Sequence, residues 1–207
     1  FLDYYKAGDK NIGYASSYDL RRNWYHPMLK IPAGERIARW ALNTQYGVKH
    51  NINWKPAMIT KMEVANGKVA LHLDSEVDAI TDGAIEGFAI AGKDKQFQPA
   101  TAEPLVTGKD SRNRPTLDRK VIILTSPHVP EPVHFRYAWG RNPMGNLQHR
   151  TTSQKDIPFA TQRSDNWEPI SLENGVETPR KARTEKLQKI DLIRRLKDAQ
   201  NLIDANK

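Results

Sequence analysis

Residues 58–74 read "MITKMEVANGKVALHLD". Asn66-Gly67 stands between two runs of alternating apolar and polar residues. That dipeptide tolerates positive φ at both turn positions, so the stretch predicts a β-hairpin closed by a two-residue turn. Successive strand residues point to opposite faces. Val69, Leu71 and Leu73 therefore share one side, and Lys68, Ala70 and His72 the other. Further short apolar runs follow at "IEGFAIAG" (85–92) and "KVIILT" (120–125). "VHFRYAWG" (133–140) alternates with Val133, Phe135, Tyr137 and Trp139 on one face and His134, Arg136 and Ala138 on the other. Short strands separated by Gly, Pro, Asn and Asp turns predict an antiparallel β-sandwich over roughly 52–165. The polar stretch Thr107–Leu117 reads as a loop within it.

The β region is flanked on both sides. Upstream, Pro32 starts an expected helix in which Ile37, Trp40, Ala41 and Tyr46 lie on roughly one face, with Glu35 in the first turn and Gly47 as its stop. Downstream, "SLENGVETPR" reads as a linker. Thr178-Pro179 then caps an amphipathic helix carrying Leu187, Ile190, Ile193, Leu196 and Ile203. Its apolar stripe suits docking on the same protein. Its basic face also admits a nucleic acid or an anionic surface as a weaker reading.

Bulk properties remove several function classes. At 207 residues the chain can form one or two domains with real cores. No run of 18 apolar residues exists, so no spanning helix is expected. No signal peptide starts at Phe1, and a chain opening on Phe is expected to be a processed product or a fragment. Cysteine is absent, which excludes disulfides and thiolate chemistry. The net charge of +8 is uneven, because residues 178–207 hold nine Lys/Arg against four Asp/Glu.

Six histidines, at 26, 50, 72, 128, 134 and 149, show no H-E-x-x-H or similar metal-ligand spacing, so no metal and no cofactor are expected. There is no G-x-G-x-x-G, no P-loop and no G-x-S-x-G elbow. Read by itself, His26 fits an ordinary structural or surface histidine as well as a general base.

The stretch "WYHPMLKIPAGERIARWALNTQYG" resembles the segment of sialate O-acetylesterases in which a catalytic His-Pro precedes a G-x-R-x-A-x-W-A helix ending in Tyr-Gly. The matching positions are His26-Pro27, Gly34, Arg36, Ala38, Trp40-Ala41 and Tyr46-Gly47. "IEGFAIAGKDKQFQPA", "PVHFRYAWGRNPMGNL" and "IPFATQRSD" are similar to later stretches of the same family, in the same order. The resemblance spans about residues 10–165.

That family belongs to the SGNH/GDSL ester hydrolases. The resemblance implies a Ser-His-Asp mechanism on a flavodoxin-like α/β domain, acting on an O-acetylated sugar. It places His26 as the general base and α/β-domain residues at 1–48, a β-sandwich accessory domain at 49–166, and a linker with a helical extension at 167–207. It also implies a secreted, periplasmic or lysosomal address. Two departures accompany it. The family's Gly-Gln-Ser or Gly-Asp-Ser nucleophile block lies far upstream of its histidine and does not occur in these residues, so the serine is expected outside this chain. The Asp that SGNH enzymes commonly carry three residues before the His is Asn23 here. Asn23 is a possible orienting residue for the imidazole, with Asp19 as the alternative, or else a plain loop residue.

Trp24 and Tyr25 could stack on a sugar ring or pack against the absent hydrolase segment. Arg136 and Asn142 are candidate sugar contacts, or respectively a strand residue and a turn former. The leading expectation is the C-terminal portion of a carbohydrate O-acetylesterase that is inactive by itself. The alternative is a non-catalytic sandwich module that binds carbohydrate or a protein partner.

Overall fold

The computed structural model describes residues 7–9, 11–20, 29–48, 53–80, 83–139, 145–150, 157–167, 170–173 and 176–179. The chain divides into two compact units, Phe1–Asp165 and Asn166–Lys207. In chain order the first unit holds a 3₁₀ turn at Tyr18–Leu20 and helix α1 (Lys30–Thr44). Its strands are β1 (Ile59–Ala65), β2 (Lys68–Leu73), β3 (Val77–Ala79), β4 (Phe88–Ala91), β5 (Gln98–Pro99), β6 (Thr101–Lys109), β7 (Pro115–Thr125), β8 (His134–Tyr137), β9 (Leu147–His149) and β10 (Gln162–Arg163). The second unit holds β11 (Ile170–Glu173) and β12 (Val176–Pro179).

The expected hairpin is present. β1 and β2 pair antiparallel with Ala65 opposite Lys68, and the turn residues sit at φ 51° (Asn66) and 71° (Gly67). Both are positive, which is what a two-residue turn of this twist requires. Gly67 is doubly constrained, since a Cβ there would lie 2.9 Å from the Pro130 carbonyl oxygen. Val69, Leu71 and Leu73 all point inward and are buried.

Two antiparallel sheets face each other across one core. The first has strand order β1-β2-β7-β6 and the second β10-β8-β4-β5, with β3 and β9 forming a separate short pair. Val69, Leu71, Ile122 and Leu124 from the first sheet meet Phe88, Ile90, Phe135 and Tyr137 from the second. Burying each such side chain stabilises the fold by about 1.5–3 kcal/mol. Pro104 lies on the outer strand β6, where its missing N–H is tolerated, and the pairing with β7 slips directly after it.

Four expectations are corrected. Thr107–Leu117 is mostly strand: β6 runs to Lys109 and β7 begins at Pro115, so the loop is confined to 110–114. Its tip is closed by Asp110, whose carboxylate accepts from the backbone N–H groups of Arg112 and Arg114 at 2.8 and 2.9 Å. Trp139 does not continue the buried face of β8. Ala138 turns to φ 46°, donates its N–H to the Gly87 carbonyl and takes the inward place, which leaves Trp139 38% exposed.

The expected apolar face is not buried: Ile37 on helix α1 and Tyr46 just beyond it are 58% and 75% exposed. The inward face of α1 instead carries buried Arg36, with Trp40 one turn on. Ile37 follows Arg36 by 100° of rotation and is therefore turned outward. Finally, "SLENGVETPR" is not a linker, because β11 and β12 pair through it with Glu173 opposite Val176. The expected helix after Pro179 lies outside the described residues.

Helix α1 begins two residues before Pro32, which sits in the first turn where its missing N–H costs nothing. It ends at Thr44, and the chain turns at Gly47, at φ 65°, with the Val48 N–H donating back to the Leu42 carbonyl at 2.9 Å.

Candidate active-site loop and its anchors

His26, Asn23, Trp24 and Tyr25 all lie outside the described residues, as does Asn142. The segments on either side of residues 21–28 are described, and each is tied down. Upstream is the 3₁₀ turn Tyr18–Leu20, and downstream is α1.

Arg36 joins these flanks. Its Nη1 donates to Asp19 Oδ1 at 2.7 Å and its Nη2 to Asp19 Oδ2 at 2.6 Å. Nη1 also donates to the Ser16 carbonyl at 2.6 Å. A planar guanidinium matches a carboxylate in this two-pronged way, and a lysine could not. The Arg36 and Asp19 side chains are 9% and 20% exposed, so the pair is shielded but not sealed from water. These bonds put Arg36 on the side of α1 that faces the turn. Sequence reasoning quoted Arg36 inside a motif but gave it no role. A lone buried arginine on a helix otherwise rich in exposed apolar residues is the signal that identifies such a role, because it must have a fixed acceptor.

The upstream flank is in turn fastened to the sandwich. Tyr18 donates its hydroxyl to the Phe159 carbonyl at 3.0 Å, and its oxygen lies 3.2 Å from the Tyr137 hydroxyl. The Tyr14 hydroxyl meets Thr161 Oγ1 at 2.9 Å. Burial, followed by the adjacent Tyr137, holds the Tyr18 hydroxyl far above the ordinary tyrosine value. Burial pushes Tyr137 up to about 12. Both stay protonated at neutral pH, so the hydroxyl donor to Phe159 is permanent.

Asp19 is thus engaged by Arg36. Ser16 is 2% exposed with its hydroxyl buried, so it is not presented as a nucleophile to solvent. Arg136 is likewise committed: its Nε and Nη2 donate to Asp165 at 2.8 and 2.7 Å, and its guanidinium carbon stands 3.9 Å from the centre of the Phe97 ring. The Asp165 side chain is wholly buried, and Arg136 compensates its charge.

The chain has a similar solved structure. The chain is similar to a carbohydrate acetylesterase of Xanthomonas citri, known from its crystal structure. The likeness has a TM-score of 0.56 at 31% sequence identity and covers 69% of this chain. It covers 29% of the other chain, so this chain spans under a third of that protein's length. No protein-family model matches the sequence, and no curated protein does. The match supports a relationship to carbohydrate esterases.

The Arg36 clamp makes a testable demand on the fold. Arg36→Met keeps the aliphatic volume but strands the Asp19 carboxylate and the Ser16 carbonyl. The expected cost is about 2–3 kcal/mol, below that of breaking a fully buried pair because Asp19 is partly wetted. Hydrogen exchange should show lost protection at residues 14–20, and Arg36→Lys should restore only part of it. Unchanged protection in Arg36→Met would mean that the turn is held without this pair.

Proposed function

We propose that this chain is the C-terminal portion of a carbohydrate O-acetylesterase of the sialate type, with its nucleophilic serine supplied from outside these residues. One observation carries the reading: the 31% identity to a carbohydrate acetylesterase over 69% of this chain. The local motif around His26 and the clamped flanks of its loop support it.

In this reading His26 is the general base. A serine Oγ attacks the acetyl carbonyl while the imidazole takes its proton, and the imidazolium then returns that proton to the departing sugar hydroxyl. Water repeats the cycle on the acyl-serine and releases acetate. The bidentate pair to Arg36 commits Asp19 to holding α1, which leaves Asn23 as the orienting partner of the imidazole. Asn23 accepts a hydrogen bond but stabilises imidazolium less than a carboxylate does. Trp24, Tyr25 and Asn142 contact the sugar. Arg136 stands at the border of the site rather than in it, because Asp165 takes two of its donors. The residues before α1, together with that helix, complete an SGNH-type α/β domain whose body lies elsewhere. The role is extracytoplasmic.

The test is direct. Purified 207-residue polypeptide is expected to release no p-nitrophenol from p-nitrophenyl acetate above an albumin control. Mixing it with a polypeptide bearing the matching serine block should restore turnover. Turnover by the isolated chain, abolished by a serine-directed phosphonate, would overturn the assignment of the nucleophile to another segment.

A further inference from the structure

A cavity of about 540 Å³ opens in the first unit, and neither Arg36 nor Asp19 lines it. Gly8, Asp9 and Ile12, the second half of α1 and the approach to β1 enclose it, and Asp74 closes it from the end of β2. Its volume lies within the usual range for small-ligand sites. Nothing described above uses it.

The walls combine two kinds of surface. Trp40 and Trp54 contribute indoles, and Met58 adds an apolar floor. Trp40 is pinned. A Cβ added at Gly13 would fall 2.5 and 2.6 Å from Cδ2 and Cε2, the two atoms shared by the fused rings. An approach to those atoms comes over the face of an indole, since its edge exposes others. Gly13 therefore lies flat under one face, and the rest of the ring is held rigidly against the cavity.

The polar side is equally fixed. Lys55 Nζ donates to Asp74 Oδ2 at 2.6 Å, while Asp74 Oδ1 accepts from the Met58 N–H at 2.9 Å. The carboxylate cannot swing. An ammonium has three N–H donors, and Asp74 takes one. Thr60 donates its hydroxyl to the His72 carbonyl at 3.2 Å, which leaves its oxygen lone pairs as acceptors.

We propose that this cavity is a non-catalytic binding site for a neutral pyranose sugar. A pyranose presents C–H faces that stack on indoles and a rim of hydroxyls that each donate and accept. The adjacent Lys55 ammonium and Asp74 carboxylate match a vicinal pair of hydroxyls. Charge selects the neutral ligand: Lys55 is offset by Asp74, and Asp9 also lines the cavity, so an anionic sugar meets net negative charge. The lining holds no serine and no histidine among the described residues, so the site holds a glycan and does not cleave it. The choice of a sugar rests on the carbohydrate-esterase reading above; the cavity and its pinned lining do not.

Isothermal titration of the full 207-residue chain tests this, using methyl glycosides of neutral hexoses and, separately, the methyl glycoside of N-acetylneuraminic acid. The expected result is saturable binding of at least one neutral glycoside with a Kd of about 0.1–5 mM, and binding of the anionic sugar at least tenfold weaker. Trp54→Ala and, independently, Lys55→Met should each weaken binding by roughly tenfold or more while far-ultraviolet circular dichroism stays native. The esterase assay of the reconstituted enzyme is run beside the titration. That comparison separates the two readings: esterase activity in the reconstituted enzyme without binding here sinks the cavity proposal alone, and binding here survives a failed esterase test. No neutral glycoside bound at about 50 mM, preference for the anionic sugar, or binding that ignores both substitutions would overturn the proposal.

Discussion

Replacing His26 with alanine in the reconstituted esterase is expected to lower kcat by about 10³-fold or more with KM little changed. A serine hydroxyl at neutral pH is a poor nucleophile, and the imidazole both removes its proton in the attack and returns one to the leaving sugar hydroxyl. Losing that group raises the barrier of both steps. It leaves the sugar contacts in place, so ground-state binding survives. The companion change Asn23→Asp should be neutral or activating, because a carboxylate at that position stabilises the imidazolium more strongly than an amide. Initial-rate kinetics on an acetyl ester read both effects. A loss below tenfold in His26→Ala would remove His26 from the mechanism, and strong inactivation by Asn23→Asp would assign Asn23 another task.

The fold was legible where local chemistry decides the outcome. Asn66-Gly67 dictated its turn because few dipeptides accept two positive φ angles. The alternation of β2 then followed from burial of one face. The same signal, Asn174-Gly175, stands in the sequence between β11 and β12, yet the surrounding polarity made that segment read as a linker. Trp139 failed for a different reason. Periodicity assumes an unbroken strand, and the positive φ at Ala138, an alanine with no local signal for it, shifts everything after Tyr137 by one face.

Helix α1 shows the third limit. Periodicity points to the apolar stripe as the buried side, but the ion pair between Arg36 and Asp19 fixes the rotation of the helix, and that pair joins residues 17 apart. The clamp could not be read from spacing, because Asp19 is one of many exposed-looking carboxylates until the chain reverses onto it. The resemblance pointed to His26 but said nothing of what holds its loop. The cavity at Trp40 and Trp54 was equally silent, since its walls come from four separated segments.

Tyr137→Ala is expected to destabilise the first unit by about 3–5 kcal/mol, the largest stability loss from a single side chain here. Tyr137 is wholly buried, and its ring lies 4.6 Å from that of Phe88 and 5.0 Å from that of Phe159, centre to centre. Truncation removes a ring from the meeting point of both sheets and leaves a cavity that rigid strands cannot close. Its hydroxyl has a separate task, accepting from the Leu147 N–H at 2.9 Å. Tyr137→Phe keeps the ring and loses only that acceptor and the contact with Tyr18, so it should cost about 1–2 kcal/mol. Urea titration followed by tryptophan fluorescence gives both numbers. Equal losses in the two variants would mean that the hydrogen bonds, not the packing, hold this centre, and a loss below about 1 kcal/mol in Tyr137→Ala would show that the sheets do not depend on it. The Phe variant also bears on the proposed esterase role of His26. It removes the hydroxyl beside Tyr18 while sparing the core, so the 3₁₀ turn that precedes the His26 segment should loosen. In the reconstituted enzyme kcat should then fall severalfold at temperatures where the protein is still fully folded.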